Sequence, residues 1–168
     1  VNLTIKSGGT AIIMEHFDPE RYLELVEKWG VTHTQLVPTM FSRMLKLPEQ
    51  TRKQYDLGSL EIAIHAAAPC PVQVKEQMIA WWGPIIHEYY GATEGLGFTA
   101  CDSVQWLPHR GTVGKVLLGD LHILDENMQP CPVGTPGTVS QWQKGEFEVV
   151  WPKANATAPL VAQKPAWV

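Results

Sequence analysis

Over roughly the first hundred residues, short apolar runs rich in β-branched side chains alternate with segments whose apolar residues recur at helical spacing. That alternation marks consecutive βαβ units and restricts the chain to an α/β fold. Residues 11–14 read as a first strand. Asp18 and Pro19 then supply an N-cap and a first helical position for a helix with Tyr22, Leu25, Val26 and Trp29 at i, i+3, i+4 and i+7, ended by Gly30. A second strand is predicted at 32–37, followed by a helix from Pro38 or Thr39 with Phe41, Met44 and Leu45 on one face, stopped near Pro48. A charged connection at 47–59 leads to a third strand at 61–65. Pro71 opens a helix with Val74, Met78, Trp81 and Trp82 on one side, broken by Gly83 and Pro84, and 85–87 is the fourth strand. Helical crossovers of this length return the chain to the same end of the sheet, so the strands are expected to run mostly parallel, with ligands at their carboxyl ends.

From Gly111 the pattern changes. Gly111, Gly114, Gly119, Asn127, Gly134 and Gly137 punctuate short strands at turn-like spacing, which predicts a small β subdomain. The division expected is an α/β subdomain at 1–105, the start of a β subdomain at 106–139, and a tail at 140–168 without a readable period. The chain opens on Val1 and enters a strand-like pattern almost at once, so it reads as a piece of something larger.

Thirteen basic against 17 acidic residues give a net charge of -4 with no long run of one sign, which argues against nucleic acid or an anionic membrane as partner. No apolar run approaches the ~18 residues a membrane helix needs, and no signal peptide opens the chain. The expected location is the cytoplasm. Cys70, Cys101 and Cys131 show neither a CxxC pair nor a metal-ligand rhythm and read as reduced packing residues. His16, His33, His65 and His87 fall near strand ends without ligand spacing.

There is no GxSxG, HExxH, GxGxxG or Walker loop, and Gly111-Thr-Val-Gly-Lys115 is too short to serve as the last of these. The informative stretch is Tyr89-Tyr90-Gly91-Ala92-Thr93-Glu94-Gly95, at the end of the fourth strand. An aromatic side chain followed by small residues lets a planar base lie on the ring, and a threonine hydroxyl can donate to a phosphate. A glutamate beside phosphates needs a hard cation between them, an arrangement Mg2+ favours. The same residues also fit a strand-to-helix turn with Thr-x-Glu capping, and the residues alone leave both readings open. A second turn of small residues, Ala66-Ala67-Ala68-Pro69, closes the third strand and could form the other wall of a flat slot.

These segments together resemble the AMP-forming adenylating superfamily, closest in texture to bacterial fatty-acyl-CoA synthetases. Residues 8–19 resemble the segment leading to that family's second sheet, and 31–41 its helix start beside the acyl pocket. The Ala66 to Pro69 turn resembles the Gly-Gly-Ala-Pro nucleotide turn. Tyr90-Gly-Ala-Thr-Glu94 matches the Tyr-Gly-x-Thr-Glu motif in full, and 111–115, 121–125 and 132–139 resemble the β subdomain that follows.

The resemblance implies a ligase that joins a carboxylic acid, here a fatty acid, to ATP, releases pyrophosphate and passes the acyl group to coenzyme A. It implies that Tyr90 stacks on adenine with Tyr89 and Gly91 beside it, that Thr93 binds phosphate, and that Glu94 holds Mg2+, Thr93 and Glu94 being the catalytic pair. Ala67, Ala68 and Pro69 would line the adenine slot, Pro38 and Thr39 border the acyl pocket, and Glu88 lie near the exocyclic amine or else face solvent. The family's phosphate loop ending in Pro-Lys-Gly and its lid domain with a catalytic lysine have no counterpart in the 168 residues. Weak nucleotide binding and negligible turnover are therefore expected of the chain alone. The alternatives are an adenylating enzyme for another acid or a carrier protein, and a non-catalytic nucleotide-binding or self-associating remnant, with a homo-oligomer left open.

Overall fold

The computed structural model describes residues 2–91, 97–143 and 146–148. Thr93 and Glu94 lie outside the described residues, as do all residues beyond 148. A short helix α1 (Asn2–Lys6) opens the chain where the alternating pattern suggested a strand. Two glycines close it: Gly8, at φ 76°, returns its N–H to Ile5, and the Gly9 N–H reaches Thr4. This is the left-handed cap that ends helices whatever the preceding apolar pattern.

Residues 11–14 are not a strand either. They have no β partner among the described residues, and although Met14 packs against the core, Ile13 is 71% exposed, so the run lacks the ladder that makes a strand. Helix α2 (Pro19–Trp29) follows as expected. The Asp18 carboxylate accepts from Arg21 N at 2.8 Å, Pro19 occupies the first turn, and Gly30 ends the helix at φ 56°, ψ 49°. Strand β1 (His33–Leu36), α3 (Pro38–Leu45), α4 (Glu49–Gln54), β2 (Ile62–His65), α5 (Val72–Trp82) and β3 (Ile86–Gly91) complete the α/β part. The charged connection between α3 and β2 thus contains one short helix, α4.

Strands β1, β2 and β3 are parallel, with His65 opposite Leu36 on one side and Glu88 on the other. Three parallel strands replace the four expected, and two antiparallel ones extend the sheet: β4 (Phe98–Asp102) beside β3, then β5 (Lys115–Leu118) beside β4. Between them lie α6 (Ser103–Trp106), opened by a capping box from Asp102 and Gln105, and one turn of 3-10 helix at Leu107–His109. Strands β6 (Asp120–Leu124), β7 (Thr138–Gln143) and β8 (Glu146–Glu148) form a separate antiparallel sheet. The segment from 106 to 139 is therefore divided between the two sheets.

Helices α2, α3 and α5 bury one stripe each against the parallel strands. Tyr22, Leu23 and Val26 of α2, Phe41 and Met44 of α3, Met78 of α5, and Leu36, Ala63 and Ile86 of the strands make one core, with Trp81 and Trp82 packed on it as the sequence suggests. The second sheet has its own small cluster, Ile123 and Val139, against which Tyr90, Leu121 and Cys131 pack. All three cysteines are free.

Candidate active site

Parallel pairing places the carboxyl ends of β2 and β3 side by side. Ala63 lies opposite Ile86, Ile64 opposite His87 and His65 opposite Glu88, so the chain leaves β2 through the turn at 66–69 next to the last residues of β3. Ala66 is buried, whereas Ala67, Ala68 and Pro69 are exposed and present small side chains and backbone. Ala67 sits at φ 72°, a left-handed conformation that costs any residue with a Cβ.

Strand parity separates the two tyrosines. Tyr89 faces away from the core that α2, α3 and α5 cover, where its hydroxyl accepts a hydrogen bond from Gln35 Nε2 at 3.3 Å and its ring meets Phe98 edge-on at 6.3 Å between centroids. Tyr90 faces the other way, half-buried against the cluster of Ile123 and Val139, and burial pushes its phenol above the ordinary range. Gly91 lets β4 approach: a Cβ there would lie 2.7 Å from the Cβ of Phe98 and 3.1 Å from the Gly97 oxygen. A cavity of about 100 Å3, lined by Gln35, Leu36, Val37, Met40, Ala66 and Ala67, opens where β1 and β2 end and α3 begins. Pro38 and Thr39, the expected border of an acyl pocket, are the α3 residues between Val37 and Met40 of that lining.

A larger hollow, about 330 Å3, lies between α4 and α5 and is bounded by Glu49, Arg52, Lys53, Gln77, Ala80 and Trp81. Its charges are already used: Lys53 pairs with Glu49 at 2.6 Å, and Arg52 lies over the Trp81 ring at 5.3 Å. It sits by the C-terminal half of α5, which runs back toward the amino ends of the strands. Ligands of parallel sheets belong at the opposite end, so the smaller cavity is the relevant one.

Glu88 does not face solvent. It is 7% exposed, on the helix-covered face of β3, and accepts a 2.5 Å bond from Lys75 Nζ, which is itself fully buried in α5. Burial raises the Glu88 carboxyl, with the charge and hydrogen bond of Lys75 opposing it. Lys75 Nζ also lies 4.8 Å over the ring of Trp106. His65 completes the cluster. It is fully buried, its Nε2 is 3.6 Å from Glu88 Oε2, beyond hydrogen-bond reach, and neither ring nitrogen has a hydrogen-bond partner. Burial first, and the Lys75 charge second, push His65 down to about 3 from 6.5, so the ring is neutral. Cys70, beside the turn, is pushed up to about 12 by burial and then by Glu88, which makes it an inert thiol.

The sequence reading missed Lys75 and Gln35. Lys75 stands three residues before Met78 and seven before Trp82, on the buried face of the helix, and that position was the available signal. Among the described residues no group of three or more His, Cys, Asp or Glu could hold a metal ion.

The neutral His65 has a measurable consequence. The unfolded chain takes up a proton on this ring as the pH drops through 6.5, whereas the folded chain resists until about 3, so its contribution to stability is intact above 6.5 and lost as the pH falls. The slope is up to about 1.4 kcal/mol per pH unit. Urea unfolding between pH 7 and 4.5 is expected to show a steeper acid loss for the wild type than for His65→Met; equal slopes would refute the assignment.

With this geometry in view, the comparison with known proteins is direct. Residues 1–145 match the AMP-binding enzyme family. The chain belongs to that family. Among curated relatives of this AMP-binding chain, the medium/long-chain-fatty-acid–CoA ligase FadD8 of Mycobacterium tuberculosis is 37% identical over 140 residues, covering 81% of this chain and 24% of that protein. Among solved structures, the amide bond synthetase McbA from Marinactinospora thermotolerans superposes with a TM-score of 0.70 at 26% identity, covering 82% of this chain and 28% of McbA. ATP-bound MatB from Rhodopseudomonas palustris gives 0.68 at 26% identity, covering 88% and 29%. The chain thus spans about a quarter of the length of such AMP-binding relatives. The α/β fold and the resemblance to acyl-activating enzymes read from the sequence are both met. No helix among the described residues is long and apolar enough to cross a membrane.

Proposed function

We propose that this chain is the central part of the active site of a ligase that activates a carboxylic acid with ATP and transfers the acyl group to coenzyme A. The observation that carries this reading is the placement, side by side at the carboxyl ends of β2 and β3, of a turn of exposed small residues with Ala67 at φ 72° and the last strand residues Tyr90 and Gly91. The acid oxygen attacks the α-phosphorus of ATP and pyrophosphate leaves; the thiol sulfur of coenzyme A then attacks the acyl carbon, AMP leaves with its oxygen, and the thiol proton is released. A carboxylate approaching a polyanion gains most from alignment and charge screening, so the protein's part is positioning and electrostatics.

In this reading Ala67, Ala68 and Pro69 form one wall of the adenine slot and Tyr90 and Gly91 the other, with Tyr90 the stacking ring and Tyr89 on the opposite face of the strand. Thr93 holds phosphate and Glu94 holds Mg2+, whose role is to screen the phosphate charge. The base is met by backbone and ring rather than by the Glu88 carboxylate, which is engaged with Lys75. A fatty acid is the favoured substrate because the 37%-identical relative is a fatty-acid–CoA ligase. The cavity bounded by Gln35, Met40 and Ala66 is then where its carboxyl end lies. A cytoplasmic location suits substrates of this kind.

The test is a thermal melt of the chain with a non-hydrolysable acyl-adenylate analogue and Mg2+, beside a Thr93→Ala/Glu94→Ala double variant. At 100 times the dissociation constant the ligand stabilises by about 2.7 kcal/mol. A saturable upward shift that the double variant loses is the expected outcome; no shift at any concentration counts against the site. ATP–pyrophosphate exchange by the 168 residues is expected to be negligible, and robust exchange would show the chain to be catalytically complete.

A further inference from the structure

The Lys75–Glu88 pair joins the two elements that carry the walls of the proposed slot. Helix α5 starts at Val72, directly after the turn at 66–69, and Lys75 lies in its first turn, so Lys75 moves with that wall. Glu88 lies two residues before Tyr90 in β3 and moves with the other. The bond between them is short, 2.5 Å, and closed to water, Lys75 being fully buried and Glu88 7% exposed. A third element fixes the ammonium from the side: Trp106 of α6 lies 4.8 Å from it, and the Ser103 hydroxyl at the start of α6 both donates to the Ile86 oxygen at 2.8 Å and accepts from the Ile86 N–H at 3.1 Å. A buried ion pair is a poor means of gaining stability, since well-packed apolar side chains of similar volume do as well or better. What it supplies that they do not is a directional bond of fixed length.

We propose that Lys75 is a positioning residue for the nucleotide slot: its bond to Glu88 staples the turn at 66–69 to the end of β3 and sets the gap between the two walls. The proposal rests on the nucleotide reading of those walls. It makes a distinction that a purely structural role does not. Replacing both partners by methionine restores packing and stability but removes the directional bond, so folding recovers while nucleotide affinity does not.

The experiment is an AMP titration of the 168-residue chain, carried into the millimolar range and followed by amide NMR shifts at 66–70 and 89–91, for wild type, Lys75→Met and Lys75→Met/Glu88→Met. Each variant is melted in parallel without nucleotide. The expected result is a saturable shift in the wild type and about tenfold weaker AMP binding in the double variant, at a melting temperature close to wild type. A double variant that is both stable and binds AMP as the wild type does would overturn the staple while leaving the nucleotide reading in place. Absence of any saturable shift in the wild type would overturn that reading, and the staple with it. The double variant keeps the test decisive even where Lys75→Met alone does not fold.

Discussion

Gly114→Ala is expected to lower stability by about 3 kcal/mol or more, the sum of left-handed backbone strain and of overpacking against immovable atoms. Gly114 has φ 97°, and an added Cβ would stand 2.1 Å from the oxygen and 2.2 Å from the carbonyl carbon of Ala100, with Cys101 N at 2.7 Å. Those are backbone atoms of β4, so no rotamer change relieves them. The strand that would have to move is the one lying beside Tyr89, Tyr90 and Gly91. For a chain of this size the loss corresponds to a fall of roughly 10 °C in melting temperature. Gly134→Ala is the internal control: it has φ 87° but nothing within 4 Å of the new methyl, so it incurs the backbone strain alone, about 1 kcal/mol. Melting both variants checks the account, and equal losses would show that the close approach at β4 contributes nothing.

Lys75→Ala is expected to cost about 3–5 kcal/mol, because it strands the buried Glu88 carboxylate without its cation and leaves a cavity behind. The loss should be asymmetric. Lys75→Met/Glu88→Met removes two charges instead of one and is expected to fold with stability near that of the wild type. Denaturant unfolding at pH 7 of the two variants measures the difference. If the double variant is as unstable as Lys75→Ala, the buried charge is not what the single substitution exposes.

The legible parts of the fold are those in which local chemistry and tertiary packing agree. Helix α2 carries its cap at Asp18, its first-turn proline and its terminal Gly30 in the letters themselves, and strands β1, β2 and β3 are short segments set between helices where the helical spacing is interrupted. The turn at 66–69 and the strand end at 89–91 could be found because small residues at the end of a strand signal close approach. Strand β4 was hidden: its inward residues, Thr99 and Cys101, are a hydroxyl and a thiol, and its outward ones include Phe98, so the period-2 pattern runs against the usual sense. Residues 11–14 misled for the opposite reason, being apolar enough for a strand but with no neighbour to pair with among the described residues. Lys75 and Glu88 were each readable as solvated charges. Only their positions, one on the face of Met78 and the other on the face of Ile86, mark them as buried, and the sequence offers no sign that the two meet.

Because Tyr89 and Tyr90 are neighbours in an extended strand, they serve opposite faces of one sheet, one toward Gln35 and Phe98, the other toward Ile123 and Val139. The strand therefore has a frame of two. Inserting or deleting one residue between Ile86 and Glu88 would exchange the tyrosines and turn Glu88 away from Lys75 in the same step, whereas a change of two residues would keep all three on their faces. A change of two residues in this strand is therefore expected to be tolerated better than a change of one, whereas the loops on either side carry no such parity.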